Sequence, residues 1–173
     1  MNSKPIMNKS ILLLLFLIIG LSACGGISKS SPSPLNLPST SPAKVVSGYL
    51  EALKKKDFLK TYEFISFGYA GNLDKESYKI NMEQGPLKKS SWSLLNYQIT
   101  GVRIIGDQAY VSSELGVQFK PLNSDSKIQK TIEVQYVLAS LENKWKITTD
   151  YCVSNCSAED LGGKTNNKPI DSN

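Results

Sequence analysis

The side chains best suited to covalent chemistry in this chain are three cysteines, Cys24, Cys152 and Cys156. A thiolate is a nucleophile and a metal ligand. Histidine, the commonest general base, does not occur in the sequence. Its absence excludes nucleophilic triads of the Ser-His and Cys-His kinds and removes the commonest nitrogen ligand of a zinc site. The chemistry of the chain therefore depends on where its cysteines, acids and tyrosines are placed.

Cys24 comes shortly after an unbroken apolar run, Ile11–Ile19. This run is too short to cross a bilayer, because a membrane-spanning helix needs about 20 apolar residues. Two lysines precede the run and small residues follow it, which is typical of a secretory signal peptide. We expect this signal peptide to cover residues 1–23. Met7 could equally be the true start, since the chain from Met7 onward is a complete signal by itself.

The stretch Leu21-Ser22-Ala23-Cys24 resembles the lipobox of bacterial lipoproteins, in which an aliphatic residue and two small residues precede a cysteine. The resemblance implies that a diacylglycerol is joined to the Cys24 thiol and that the mature chain begins at this cysteine. Two or more acyl chains anchor a protein stably to a membrane. Gly25 at the next position resembles lipoproteins sorted to the outer membrane, if the host has one. The alternative is an ordinary secreted protein with an accidental cysteine at the cleavage site.

Cys152 and Cys156 are the two thiols that remain once Cys24 is lipidated in an oxidising compartment. The three residues between them can form a turn that brings the two sulfurs together. We therefore predict a disulfide at the end of the last strand. The alternatives are a redox pair and a metal site. Redox motifs prefer two intervening residues, and two sulfurs without histidine make a poor metal site, so neither a metal nor a cofactor is expected.

The charge of the chain is mildly basic, with a formal net charge of +5. Its lysines are scattered, apart from the run Lys54–Lys56 at an expected helix end, where cations are favourable. A nucleic-acid interface needs clustered basic residues with aromatic residues among them. Binding to nucleic acid is therefore not expected.

The composition predicts four segments. After the signal peptide, residues 24–41 are rich in Ser, Pro and Gly and form a linker behind the lipidated cysteine. Residues 157–173 form a polar tail, which we expect to be disordered. Residues 42–156 between them have the length of one ordinary domain.

Helical periodicity dominates the first part of this domain. Ser41 and Pro42 are typical of a helix start, and Asp57 and Asp74 can each cap a further short helix. The third helix is expected to stop at about Gln84, before a Gly-Pro pair. The first helix presents an apolar face of Val45, Val46, Tyr49, Leu50 and Leu53, and the second one of Phe58, Leu59, Tyr62 and Ile65.

From Trp92 onward the pattern alternates as in β-strands. Gly101 indicates a bulge, and Gly106-Asp107 and Glu142-Asn143 indicate tight turns. Helices followed by a four-stranded meander favour an α+β fold with the helices on one sheet face. The residues expected to point inward are, in chain order, Leu95, Tyr97 and Ile99; Ala109, Val111, Ser113, Leu115, Val117 and Phe119; Ile132, Val134, Tyr136 and Leu138; and Trp145, Ile147, Thr149 and Tyr151.

The leading PAKVVSGYLEALKKKDFLKTYEFIS, the later GDQAYV and the closing NKWKI resemble the nuclear-transport-factor-2-like fold, a curved cone of helices against a sheet. More narrowly, the chain is similar to small bacterial lipoproteins of that fold with unassigned activity. No catalytic signature comes with the resemblance, and a chain without histidine, whose acids lie mostly at termini and turns, lacks a well-supported general base. We therefore expect a membrane-tethered envelope module that works by binding rather than catalysis. Its partner would be a small apolar ligand or another envelope protein, bound in the cone pocket or on the sheet face.

The same fold also hosts enzymes of the ketosteroid-isomerase and polyketide-cyclase type, which implies an alternative function. Such an enzyme needs an acidic base and a polarising donor in the cone. Glu63 and Asp150 are the candidate bases, although most acids fall at helix ends, turns or outward strand positions. The tyrosines expected to line the pocket in either case are Tyr49, Tyr62, Tyr97 and Tyr136.

Overall fold

The computed structural model describes residues 37–85, 91–120 and 125–156. The predicted signal peptide, Cys24, most of the linker and the polar tail lie outside the described residues. The helices are α1 (Pro42–Lys54), α2 (Phe58–Thr61) and α3 (Lys75–Gln84), and a 3-10 turn (Tyr62–Phe64) follows α2. The strands are β1 (Ser93–Ile105), β2 (Gln108–Phe119), β3 (Ile128–Leu141) and β4 (Lys144–Ser154).

Helix α1 begins as the sequence predicts, with Ser41 at the N-cap position and Pro42 in the first turn. Proline is favourable there because its missing N–H would have no partner inside the helix. The Ser41 side chain, however, makes no capping hydrogen bond. The predicted apolar face of α1 is confirmed, since Val45, Val46, Tyr49, Leu50 and Leu53 are all buried.

Helix α2 is shorter than its sequence pattern suggests. Asp57 caps it by accepting a hydrogen bond from the Lys60 N–H at 3.0 Å, as predicted. The prediction that the helix continues to Ile65 is wrong. Ile65 has extended backbone angles and pairs in parallel with Ile147 of β4, and the Ser66 N–H donates to the Ile147 carbonyl at 2.8 Å. Pairing with the sheet therefore replaces the last helical turn.

Helix α3 agrees with its predicted bounds. The Asp74 carboxylate accepts a hydrogen bond from the Ser77 N–H at 2.9 Å, and the helix ends at Gln84. Tyr78 is its buried residue. One buried side chain on a helix of three turns indicates that α3 lies at the rim of the core rather than across it.

The four strands form one antiparallel sheet in the order β1-β2-β3-β4. Gly106 adopts a φ of 59° in the first hairpin, and Glu142 and Asn143 adopt φ of 51° and 59° in the last. Such left-handed conformations match the twist of two-residue hairpins. The α+β prediction is confirmed. We call the sheet face that packs against α1 the inner face. The inward assignments on β2 and β3 are also confirmed, because all ten of these residues are buried.

A bulge in β1 changes which leucine points inward. The pairing of β1 with β2 shifts register between Leu94 and Asn96. Leu94 is therefore the buried residue, and the prediction that Leu95 points inward is wrong. A second shift, between Ile99 and Gly101, confirms the bulge predicted there.

A bulge in β4 decides which of its side chains point toward the helices. Val137 pairs with Thr149 but Leu138 pairs with Ile147, so that Thr148 is the extra residue. Side chains alternate between the two faces of a sheet, so one inserted residue reverses the faces of the residues that follow it. Trp145 and Ile147 point inward as predicted, but the same prediction for Thr149 and Tyr151 is wrong. The residues that share the inner face with Tyr136 and Val134 are Asp150 and Cys152, which pair with them directly.

Among the described residues, no helix is long and apolar enough to span a membrane.

Candidate functional site

Three tyrosines from different parts of the fold meet on the inner face, and we call them the tyrosine cluster: Tyr49 of α1, Tyr69 of the loop after the 3-10 turn, and Tyr136 of β3. The Tyr49 ring makes edge-to-face contacts with Tyr69 and Tyr136, at centroid distances of 6.4 and 6.0 Å. Tyr49 and Tyr136 are only 5% and 3% exposed. Their rings are therefore part of the core.

Asp150 lies beside this cluster, because the β4 bulge places it opposite Tyr136. Burial raises the pKa of Tyr49, Tyr69 and Tyr136 far above the usual range, and the negative charge of Asp150 raises these pKa values further. The phenolic hydroxyls consequently stay protonated at neutral pH. A half-buried carboxylate next to neutral phenols is an arrangement that can accept and donate protons.

Tyr62 and Tyr78 form a separate pair, with ring centroids 5.6 Å apart. The Tyr62 hydroxyl donates to the Leu73 carbonyl at 3.0 Å. The Tyr78 hydroxyl lies 3.4 Å from the Thr61 Oγ1, and burial raises the Tyr78 pKa. The Tyr62 hydrogen bond therefore fixes the loop before α3, and the Tyr78 contact joins α3 to α2.

Tyr97 stands apart from both groups. Its hydroxyl donates to the Ser47 carbonyl of α1 at 3.3 Å. Burial raises the pKa of Tyr97, and the neighbouring Glu51 raises it further. Of the four tyrosines that the sequence assigns to one pocket, only Tyr49 and Tyr136 contact each other in an aromatic pair.

Glu63, the other candidate base, lies on the surface in a group of lysines. It forms ion pairs with Lys60 and with Lys75, the latter at 3.6 Å. The hydrogen bond from Lys60 lowers the Glu63 pKa, which makes this carboxylate a weaker base. The Lys146 Nζ donates to the Glu63 carbonyl and so ties β4 to the 3-10 turn. These contacts indicate a structural role for Glu63.

A cavity of about 610 Å³ lies at a different place, where the ends of the helices meet the starts of β1 and β3. Its volume is within the roughly 300–1,000 Å³ of small-molecule sites. None of the four predicted pocket tyrosines is among its lining residues. The lining combines apolar side chains with polar and charged ones: Leu53, Lys56, Phe58, Met82, Glu83, Ser91, Trp92, Ser93 and Lys127.

The backbone at two of these lining residues is unusual. Lys56 and Ser91 have φ of 57° and 50°, in the left-handed region that non-glycine residues rarely adopt. Lys56 follows α1 at its C-terminal end, and Ser91 precedes β1. Trp92, the next residue, is 8% exposed, and its indole Nε1 has no hydrogen-bond partner among the described residues.

Cys152 and Cys156 are joined in a disulfide, with their Cα atoms 6.1 Å apart. Because β4 ends at Ser154, the bond fastens the end of the last strand, where the sequence predicts it. Within the described ranges, no group of three or more Cys, Asp or Glu side chains could hold a metal ion.

Sequence reasoning missed Tyr69, Tyr78 and the cavity. Tyr69 lies in a stretch with turn composition, and the cavity is lined by residues from helix ends and loop edges, which no periodicity marks. Asp150 is a candidate base from the sequence, but strand alternation predicts that its neighbours Thr149 and Tyr151 face inward instead. The bulge at Thr148, which reverses this facing, is visible only in the pairing of β4 with β3 and has no local signal in the sequence.

Solved structures resemble this chain at low sequence identity. A nuclear-transport-factor-2-like (NTF2-like) protein from Cytophaga hutchinsonii is 16% identical, with a TM-score of 0.46, covering 65% of this chain and 94% of its own. An NTF2-like protein of unknown function from Prochlorococcus is 18% identical, with a TM-score of 0.43, covering 70% and 99%. A proposed dehydratase of the NTF2-like family from Streptomyces avermitilis is 13% identical, with a TM-score of 0.41, covering 64% and 90%. No family model and no curated protein matches the chain.

Proposed function

We propose that this protein is a membrane-tethered binding module of the bacterial cell envelope, and that it holds a small, partly apolar molecule without converting it. The observation that carries the proposal is the cavity of about 610 Å³ between the helix ends and the sheet. Leu53, Phe58, Met82 and Trp92 give this cavity an apolar wall. The anchor at Cys24 and the Ser/Pro-rich linker would keep the domain close to a membrane while leaving it free to reorient.

The position of the cavity separates it from the groups that could do acid–base chemistry. Among the described residues, its charged lining consists of Lys56, Glu83 and Lys127. All three lie at helix ends or loop edges, whereas Tyr136 and Asp150 lie within β3 and β4, with Tyr49 of α1 and Tyr69 beside Tyr136. A molecule in the cavity would contact none of the residues that the cluster supplies. Binding without conversion is the function that this separation supports.

The test is native mass spectrometry of the full-length protein purified from its host membrane. Met82→Trp should fill the cavity and remove a bound small molecule that the unchanged protein carries. Ile80→Trp is the matched control, because Ile80 is on the same helix, 51% exposed and not part of the cavity lining. A bound molecule that survives Met82→Trp, or is equally lost in Ile80→Trp, would contradict this assignment.

A second function, that of an acid–base enzyme, is favoured by one specific observation. The bulge at Thr148 turns Asp150 toward the inner face, opposite Tyr136 and near Tyr49. In such an enzyme Asp150 would accept a proton, and a neutral tyrosine hydroxyl would donate a hydrogen bond to the developing negative charge.

Asp150→Asn distinguishes the two functions in the same experiment. A binding module should carry the same molecule, at the same mass, in the unchanged protein and in the variant. An enzyme without its base accumulates substrate, so the variant would carry a molecule of different mass. The latter result would replace the binding module with the enzyme.

A further inference from the structure

We propose that the molecule in the cavity is a single-chain amphiphile with an anionic head, such as a long-chain carboxylate, and that Lys56 and Lys127 bind the head. This inference rests on the proposed binding function and names the chemical class of its ligand. The cavity joins an apolar wall to a charged rim, and an amphiphile has the same two parts.

The charges around the cavity favour an anion. Lys56 and Lys127 contribute two positive charges to the described lining, and Glu83 contributes one negative charge. The two lysines come from separate parts of the chain, the end of α1 and the start of β3, so the fold alone brings them to one site. Neither lysine has an ion pair among the described residues. A hydrogen bond to a charged group is stronger than one between neutral groups, which gives such a pair of lysines a preference for a carboxylate.

Trp92 places a fluorescent side chain in the cavity wall. The residue lines the cavity and is 8% exposed, while its Nε1 atom is buried away from the open space. Contact between a guest and the Trp92 ring can therefore be followed by tryptophan fluorescence.

The apolar side chains of the lining can contact a hydrocarbon chain. Leu53 and Phe58 are buried, and Met82 packs against the same core. Methionine is flexible and polarizable, so it adapts to a chain of variable conformation. A hydrocarbon chain held along this wall would be stabilised by the removal of its methylene groups from water.

The experiment uses the full-length protein in phosphatidylcholine nanodiscs and two probes, dibrominated stearic acid and the corresponding dibrominated alcohol. Bromine quenches tryptophan fluorescence on contact, and Trp92 and Trp145 are the two tryptophans of the chain. Trp145 is buried in the core and does not line the cavity. Quenching that is present in the unchanged protein and absent in Trp92→Phe therefore reports binding in the cavity.

We expect the ionised acid to quench Trp92 at concentrations about tenfold lower than the alcohol, a factor that corresponds to about 1.4 kcal/mol. Combining Lys56→Asn with Lys127→Gln should abolish this preference. Asparagine tolerates the left-handed backbone of residue 56, which protects the fold. The matched control combines Lys54→Gln with Lys55→Gln, two exposed lysines outside the lining, and should keep the preference.

The outcomes separate this inference from the function on which it rests. Equal quenching by acid and alcohol, or a preference that survives loss of Lys56 and Lys127, overturns the anionic ligand and leaves the binding module standing. Quenching by neither probe also overturns the anionic amphiphile, and the mass-spectrometric comparison of Met82→Trp with Ile80→Trp then decides the binding function separately. Nanodiscs that contain anionic phosphatidylglycerol provide a last comparison. This lipid carries no bromine and does not itself quench Trp92. If it prevents quenching by the brominated acid, and if this effect requires Lys56 and Lys127, a membrane headgroup and not a single-chain acid is the ligand, and the inference fails.

Discussion

The buried tyrosine cluster predicts that alkaline pH unfolds this protein. It also predicts how steeply the free energy of unfolding falls with pH. Burial raises the pKa of Tyr49 and Tyr136 in the folded state, while an unfolded chain titrates at about 10. A group whose pKa is raised by folding stabilises the protein fully below its unfolded pKa. That contribution is lost as the pH rises from the unfolded toward the folded pKa. Above pH of about 10 the unfolded state releases protons that the folded state retains, so the free energy of unfolding must fall.

The size of the effect follows from the number of buried hydroxyls. Each tyrosine that stays protonated only in the folded state lowers the free energy of unfolding by about 1.4 kcal/mol per pH unit. Tyr49 and Tyr136, at 5% and 3% exposed, together give about 2.7 kcal/mol per pH unit. Two pH units above 10 would therefore remove about 5 kcal/mol, which is the whole stability of a domain at the low end of the usual range.

The assay combines phenolate absorbance with far-ultraviolet circular dichroism between neutral pH and pH of about 12.5, the limit set by arginine ionisation. We expect some of the eight tyrosines to ionise only when the circular dichroism signal is lost. Urea unfolding at several alkaline pH values gives the slope. Tyr136→Phe should reduce it by about 1.4 kcal/mol per pH unit. Tyr151→Phe, on the outer face, is the control and should leave it unchanged. Complete ionisation of all tyrosines in a folded protein would refute the reasoning.

Three further predictions concern other parts of the chain. A clickable palmitate analogue fed to the host should label the unchanged protein and not Cys24→Ala, and label on the variant would exclude Cys24 as the lipid site. In protein recovered from its native compartment, Cys152 and Cys156 should resist alkylation until a reductant is added. Cys152→Ser should lower the free energy of unfolding by about 2 kcal/mol. Two free thiols would contradict the disulfide. Gly48→Ala would place a Cβ 2.7 Å from the Phe64 ring, so it should destabilise the fold by about 1–3 kcal/mol, and Phe64→Leu should recover part of that loss. An unchanged midpoint in urea for Gly48→Ala would show that the ring moves at no cost.

Local sequence signals determined most of the secondary structure of this protein. Ser41-Pro42, Asp57 and Asp74 place the three helix starts, because capping and proline preferences act within one turn of the chain. The alternating apolar residues of β2 and β3 correctly predict the buried face of each strand. Both are central strands, paired on both sides. The cysteine spacing likewise indicates the disulfide, because its two partners lie on one short turn.

The tertiary structure alone decided the facing of Asp150 and the position of the cavity. Thr148 is the extra residue in the pairing of β4 with β3, next to the point where Ile147 meets Ile65, and it reverses the facing that simple alternation gives to Thr149, Asp150 and Tyr151. Lys56 and Lys127 are 71 positions apart in the sequence, and only the packing of α1 beside the start of β3 brings them to one cavity. Periodicity reports which face of one element is apolar. It contains no information on where the ends of different elements meet, and in this protein the candidate binding site lies at such a meeting point.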